Sequence, residues 1–350
     1  MKYNKLNTTD IDVSVICLGT MTFGEQNTEF EGFQQMDYAV DNGVNFFDTA
    51  EIYPVMPRKE TYGLTEKIIG NWFAERKKRD KIILASKIAS KSEGLEWIRE
   101  GKAKLGFDKN NMNTAIDNSL RRLKTDYIDL YQLHWPERKV PLFGKLDFEY
   151  DQHDNDWTMV EEVLENLSEL IKLGKIRYIG LSNETPWGVM QFLKTSKEKK
   201  LPRMISIQNV YNLVNRVFDL ANSEVSIREN CGLLAYSPLA GGRLSGKYMN
   251  NHKPKNARYT LWPSRFSRHH TQRGELAISK YVELAKKHNI PPSTFANAYV
   301  NHRPFVTSNI IGATNMDQLK EDIDSINIKL SKEILDEIDN IHLSDPNPCV

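Results

Sequence analysis

Short apolar runs rich in β-branched and aromatic residues recur along the chain, and most are followed by a stretch whose apolar positions repeat every three or four residues. The runs lie at 13–19 (VSVICLG), 44–50 (VNFFDTA), 81–88 (KIILASKI), 127–135 (YIDLYQLHW), 175–182 (KIRYIGLS), 204–211 (MISIQNVY), 232–239 (GLLAYSPL) and 307–313 (TSNIIGA). Segments of this length and content predict buried strands. The stretches between them predict helices, among them EFEGFQQMDYAVDNG, GLTEKIIGNWFAERKK, MNTAIDNSLRRLK, MVEEVLENLSELIKLGK and GELAISKYVELAKKHN. Thr28 opens the first of these with Glu31 three residues on, a spacing that predicts a reciprocal capping box. Gly43, Gly174 and Gly232 each fall between a helix end and the next strand, where a left-handed C-cap is expected.

Eight strands alternating with helices predict an α/β chain folded as a (β/α)8 TIM barrel. The rival is a doubly wound open sheet, which usually carries G-x-G-x-x-G after its first strand. Here the first strand ends in LGTMTFG, which does not match. Three stretches, roughly 90–110, 136–156 and 241–271, are too long to be plain connections. All follow strands, so in a barrel they gather at the carboxyl-end face, where active sites are built. The amino-terminal KYNKLNTTDIDVS has strand-turn-strand character and is expected to plug the other end as a hairpin. SKEILDEIDNIH is expected to pack outside the barrel as a last helix.

Length alone leaves a choice. At 350 residues the chain exceeds the size near which one ordinary core stops growing, about 250–300 residues. The strand count resolves this toward one barrel domain over 1–350, with the surplus in the hairpin, the long loops and the final helix. Charge adds exclusions: 47 basic against 46 acidic residues give +1, which argues against nucleic acid or an anionic membrane held by bulk electrostatics. No apolar run reaches the 18 or so residues of a spanning helix. The amino terminus shows no secretory h-region. Three scattered cysteines, Cys17, Cys231 and Cys349, fit free thiols in a reducing compartment. A cytoplasmic location is expected.

Candidate chemistry sits at strand ends. Asp48 closes VNFFD, Lys87 closes IILASK and His134 closes LYQLH, on consecutive strands. Alternation puts Asp48 on one face with Phe46 and Val44, Lys87 with Ala85 and Ile83, and His134 with Gln132 and Leu130. If that face points inward, all three converge at one mouth, with Tyr53 just beyond on the next loop. Taken singly, each has an ordinary alternative: a turn-capping aspartate, a lysine reaching water along its stem, a core histidine, a loop aromatic. Together they suit acid catalysis. A nearby ammonium should lower a tyrosine pKa from its free value of about 10, Asp48 would keep Lys87 charged, and a neutral His134 could orient a carbonyl oxygen. No strong nucleophile accompanies them, so acyl transfer fits poorly.

DTAEIY (48–53), ASK (85–87) and LHWP (133–136) resemble the tetrad segments of the aldo-keto reductases. The resemblance extends through GKIRYIGLSN (174–183), ISIQNVYN (205–212), AYSPLAGGRLSGKY (235–248) and IIGATNMDQLKED (310–322). The LGTMTFGEQN and EIYPVMPRKETYGLTE segments resemble bacterial members of that family and its potassium-channel β-subunit branch. The resemblance implies a (β/α)8 barrel, NADPH bound without a Rossmann domain, and reversible reduction of a small-molecule aldehyde or ketone. Tyr53 would then be the general acid, tuned by Lys87 and Asp48, with His134 orienting the carbonyl.

The same resemblance implies a cofactor site. Gly19, Thr20 and Met21 would lie beside the nicotinamide ribose with Asp48. Ser182, Asn183 and Gln208 would meet the carboxamide, and Tyr236 would stack on the ring. Ser237, Pro238, Leu239, Gly241 and Lys247 would follow the pyrophosphate, with Arg265 near the adenosine. Gly312, Thr314, Gln318, Glu321 and Asp322 would form the closing segment. Asp322 stands where the channel-subunit relatives carry asparagine, so an amide donor to adenine is lost.

Gly241 to Lys247 also reads as most of a Walker A loop, but Tyr248 replaces the required Ser or Thr. From Arg243 to His270 there are seven Lys or Arg and no Asp or Glu. Following a phosphate cradle, this suits a dinucleotide's phosphates, and an arginine suits an extra 2′-phosphate. NADP rather than NAD is expected, and no metal. Trp135, Phe143 and Trp262 are expected to wall the substrate pocket. The expectation is therefore an NADPH-dependent carbonyl reductase, with a nicotinamide-binding sensor of slow turnover as the alternative.

Overall fold

A computed structural model describes residues 1–102, 104–264 and 269–350. Ten strands are described: β1 Tyr3–Lys5, β2 Asp12–Ser14, β3 Ile16–Gly19, β4 Phe46–Asp48, β5 Ile83–Ile88, β6 Ile128–Leu133, β7 Ile176–Ser182, β8 Met204–Val210, β9 Gly232–Tyr236 and β10 Val306–Ile311. β3 to β10 close into a barrel in chain order, each parallel to its neighbours, and β1–β2 form a separate antiparallel hairpin. All eight expected barrel strands are present, and the hairpin is where the sequence placed it.

The run at 13–19 divides in two at Val15. Its N–H donates to Lys2 O on the hairpin side at 2.9 Å, while its carbonyl accepts from Asn309 N in β10 at 2.8 Å. One residue therefore hands the chain from hairpin to barrel. The hairpin closes the amino-terminal end of the barrel. Leu6 and Val13 are buried against Cys17, Phe46, Ala85, Leu130, Ile205, Leu234 and Ile310, the inward-facing set. In the hairpin turn, Asn7 donates to Ile205 O at 2.6 Å and accepts from Gly232 N at 2.9 Å and Thr307 Oγ1 at 3.0 Å.

Those contacts correct the expectation for Gly232. Gly43 and Gly174 do adopt positive φ (83° and 72°), but Gly232 does not; Asn230 takes the left-handed turn there, at φ 46°. Gly232 instead lacks room for a side chain, since a Cβ would lie 2.2 Å from Thr307 Oγ1 and 2.5 Å from Asn7 Oδ1.

Outward-facing strand residues such as Phe47, Leu84, Tyr131, Leu133 and Ile207 join the larger core beneath the helices. Val44 belongs with them rather than with Asp48, because it precedes the strand, which starts at Phe46. The first helix, Glu29–Asp41, carries the expected capping box between Thr28 and Glu31. The three long stretches connect β5, β6 and β9 to the helices Lys109–Leu123, Val160–Lys172 and Gln272–Lys287, with a further short helix, Arg258–Leu261, in the third. No helix among the described residues is long and apolar enough to cross a membrane.

Candidate active site

The inward parity read from the sequence holds. Phe46, Ala85 and Leu130 face the barrel interior, so Asp48 and Lys87 emerge above them at the carboxyl-terminal end. Gln132 and then His134 follow on the β6 side. Lys87 is fully buried, and its Nζ donates to Asp48 Oδ2 at 2.6 Å, to Thr49 O at 2.7 Å and to the Tyr53 hydroxyl at 3.4 Å. The other carboxylate oxygen, Asp48 Oδ1, accepts from Gln208 Nε2 at 2.8 Å and Gln132 Nε2 at 3.2 Å. Tyr53 and His134 meet edge to face, with ring centroids 5.8 Å apart. The four side chains therefore form one connected group.

Gln208 reaches this group through an irregular register. Between Ile179↔Met204 and Leu181↔Ile207, β8 advances three residues against two in β7. The extra residue is a β-bulge, which lets Ile205 and Gln208 both face inward despite odd spacing. Gly180 fits opposite the bulge, since a Cβ there would lie 2.6 Å from Ser206 Oγ.

Electrostatics assign protonation states. Burial alone would pull the Lys87 ammonium down, but Asp48 and Tyr53 outweigh it and hold it above its ordinary value. Burial pushes the Tyr53 phenol up, and Lys87 offsets only part of that rise while Asp48 adds to it. This corrects the expectation that the ammonium lowers the tyrosine: in so dry a position desolvation of the phenolate dominates. Burial, reinforced by the Lys87 charge, holds the His134 imidazole well below its ordinary value. Its buried Nδ1 has no hydrogen-bond partner. At neutral pH the group thus holds a phenol, an ammonium and a neutral imidazole, with the ammonium ion-paired to Asp48.

Above it opens a cavity of about 1000 Å³, at the upper end for small-molecule sites, about 300–1000 Å³. Tyr53, His134 and Asp48 line it, whereas Lys87 lies beneath and acts through them. Every described residue of the expected cofactor set lines the same cavity: Gly19, Thr20 and Met21 at the end of β3 and just beyond; Ser182 and Asn183 at the end of β7, with Gln208 on β8; Tyr236, Ser237, Pro238, Leu239, Gly241 and Lys247 from β9 onward; and Gly312, Thr314, Gln318, Glu321 and Asp322 after β10. Arg265 lies outside the described residues. Of the expected pocket aromatics, Trp135 and Phe143 line the cavity; Trp262 is not among its lining residues.

The cavity wall is built for close backbone approach. Ala240, Gly241 and Gly242 run through successive positive φ of 48°, 69° and 94°. A Cβ on Gly241 would lie 2.6 Å from the Tyr259 hydroxyl, so that position is reserved for glycine. Consecutive residues in such conformations make anion-binding concavities. Tyr236 is fixed by its hydroxyl donating to Asn183 Oδ1 at 2.6 Å, and Asn183 Nδ2 donates to His134 O at 2.9 Å. These contacts tie one wall to the histidine. A cavity lined by polar catalytic groups, the Tyr236 ring and a left-handed glycine turn fits a dinucleotide.

Three contributors were not assigned roles from the sequence. Gln132 shares the inward face of His134, which placed it but not its bond to Asp48. Glu51, fully buried, accepts from both terminal nitrogens of Arg99, at 2.8 and 3.0 Å, and from Ala89 N at 2.7 Å. This pins the loop bearing Tyr53 to the insertion after β5, a long-range pairing that no local pattern marks. Arg258 lines the cavity and acts electrostatically on Tyr53; its position within the acid-free stretch was the available signal.

The model for the aldo/keto reductase family matches residues 15–342. The chain belongs to that family and is an oxidoreductase of carbonyl-type substrates; members of the family typically use a nicotinamide cofactor. Among individual relatives, it is 46% identical to Protein tas of Escherichia coli (strain K12) over 343 residues, covering 98% of each chain. It is 32% identical to the uncharacterized oxidoreductase YrpG of Bacillus subtilis (strain 168), over 97% of this chain and 96% of that one. With norsolorinic acid reductase B of Aspergillus parasiticus it shares 27% identity, over 99% of this chain and 85% of the relative.

Proposed function

We propose that the protein reduces aldehyde or ketone carbonyls with NADPH, using Tyr53 as the general acid. The observation that carries this reading is the Lys87 ammonium, buried and hydrogen-bonded to both Asp48 and the Tyr53 hydroxyl at the foot of the cavity. When bound, the reduced nicotinamide supplies the hydride. The chain's own residues do the rest. Tyr53 keeps its proton at neutral pH because burial disfavours the phenolate, and it gives that proton to the substrate oxygen as negative charge develops there. The phenolate left behind is stabilised by Lys87 Nζ, and Lys87 in turn stays charged through Asp48. The neutral His134 positions the same oxygen by hydrogen bonding without competing for the proton. Positioning and proton donation are worth the most in a site that excludes water.

The preference for NADP over NAD rests on the acid-free stretch from Arg243 to His270, from which Lys247 and Arg258 reach the cavity wall. The test is NADPH consumption, with NADH in parallel, against a panel of aldehydes, ketones and dicarbonyls. Carbonyl-dependent oxidation of NADPH faster than of NADH supports the reading. Cofactor consumption that no carbonyl stimulates contradicts it.

A further inference from the structure

Two residues before Tyr53, a buried carboxylate collects donors from three separate segments. Glu51 is fully buried and Arg99 is 5% exposed; neither is among the residues that line the cavity. Glu51 Oε1 accepts from Ala89 N at 2.7 Å and from Arg99 Nη2 at 3.0 Å, and Oε2 accepts from Arg99 Nη1 at 2.8 Å and from the Tyr62 hydroxyl at 3.2 Å. Each contact leads back to the reacting groups. Glu51 lies inside the turn that Tyr53 N closes on Ala50 O at 3.1 Å, and its own N–H donates to Lys87 O at 3.1 Å. Ala89 follows Lys87 by two residues, so Glu51 brackets the strand end that bears the ammonium. Gly63, next to Tyr62, donates from N to Tyr53 O at 3.0 Å. Arg99 is anchored on its far side, where Nε donates at 3.0 Å to Asn111 Oδ1 in the helix Lys109–Leu123.

Apolar contacts among Ala50, Ile52, Ala89, Ile98 and Leu105 already hold these loops together. Hydrocarbon contacts set no direction, whereas a carboxylate in the fork of a guanidinium has both its distance and its angle fixed. Such a buried pair adds little stability over well-packed hydrocarbon. What it adds is geometry, and geometry is critical here: the Tyr53 hydroxyl stands 3.4 Å from Lys87 Nζ, at the long limit of a hydrogen bond. A small displacement of the turn would part them.

We propose that Glu51 and Arg99 are positioning residues for the reaction, holding the Tyr53 hydroxyl in register with Lys87 and so setting the rate of proton donation without touching substrate or cofactor. The inference rests on the reading of Tyr53 as general acid and adds what keeps that acid in place.

The test is single-turnover stopped-flow on NADPH-loaded wild type, Glu51→Gln/Arg99→Met and Arg99→Lys, with an aldehyde that the wild type reduces. The double variant removes both charges together and keeps an oxygen for Ala89 N. Its rate constant should fall about 10–100-fold, the scale of a misplaced reacting group, while the amplitude and the NADPH dissociation constant stay close to those of the wild type. Arg99→Lys keeps the charge but not the fork and should fall between the two. A purely structural role would lower the amplitude, which counts folded sites, and leave the rate constant alone; that result overturns the inference, as does an unchanged rate constant at full amplitude. Should the double variant not fold, Arg99→Lys decides alone, and a rate constant equal to the wild type's overturns the inference. A wild type in which no carbonyl oxidises bound NADPH defeats the proposed function, and the inference with it; a reactive wild type beside an unimpaired variant defeats the inference alone.

Discussion

The two ends of the barrel use the same strands for opposite purposes. At the amino-terminal end, Leu6 and Val13 of the hairpin complete an apolar plug, and Asn7 satisfies backbone and side-chain groups of β8, β9 and β10. At the carboxyl-terminal end, the same inward face carries Asp48, Lys87, Gln132 and Gln208, charges and amides buried in a single hydrogen-bonded cluster. Closing the first end with hydrocarbon costs nothing electrostatically. Burying an ammonium and a carboxylate at the second is expensive unless each has its partners. The plug therefore serves stability and the cluster serves chemistry, and each half of that statement can be broken separately.

The largest effect is expected at the carboxyl end. Lys87→Met should lower the reduction rate by about 10²–10⁴-fold, the range for a disabled acid–base group. It should also cost about 3–5 kcal/mol of stability, because Asp48 is left buried without its counter-ion. Urea denaturation beside steady-state kinetics measures both. At the amino end, Leu6→Ala should cost about 2–5 kcal/mol in the same denaturation experiment, with kcat unchanged in the folded protein. A loss of kcat without loss of stability would erase the division between the ends. A smaller effect is expected of Asn7→Ala, which orphans Gly232 N and Ile205 O and should cost about 1–3 kcal/mol.

The smallest effect is the response to pH near neutrality. With Tyr53 raised and His134 well lowered, kcat/KM for reduction should be flat between the free histidine and tyrosine values, about 6.5 and 10, and should fall only at higher pH. The stability contributions run in the matching directions. Since the folded phenol is raised, its contribution is complete below about 10 and is lost as pH rises through the folded value. Since the imidazole is lowered, its contribution is present above about 6.5 and is lost as pH falls toward its folded value. A clear inflection near neutrality, in a pH–rate profile of the wild type, would contradict this assignment.

Much of this contrast was legible in the sequence. Barrel strands and the inward parity of Asp48, Lys87 and His134 follow from alternation, which the backbone enforces locally. The loops that build the cavity were legible because they exceed ordinary connection lengths on the strand-following side. What was not legible depends on non-local geometry. The bulge in β8 that turns Gln208 inward arises from how β7 and β8 pair. The role of Gly232 is set by Asn7 and Thr307, residues more than two hundred and more than seventy positions away. The Glu51–Arg99 pair joins two loops whose meeting no periodicity encodes. The direction of the Tyr53 shift was misjudged because an adjacent charge is visible in a motif, whereas the depth of burial is not.

The central claim is that Tyr53 delivers the proton while the rest of the site only prepares it. Single-turnover stopped-flow on NADPH-loaded Tyr53→Phe, with an aldehyde that the wild type reduces, tests this most directly. The expected result is an NADPH dissociation constant close to that of the wild type, with oxidation of the bound cofactor slowed by about 10²–10⁴-fold. Undiminished oxidation of NADPH by the variant would show that another group, or water, supplies the proton.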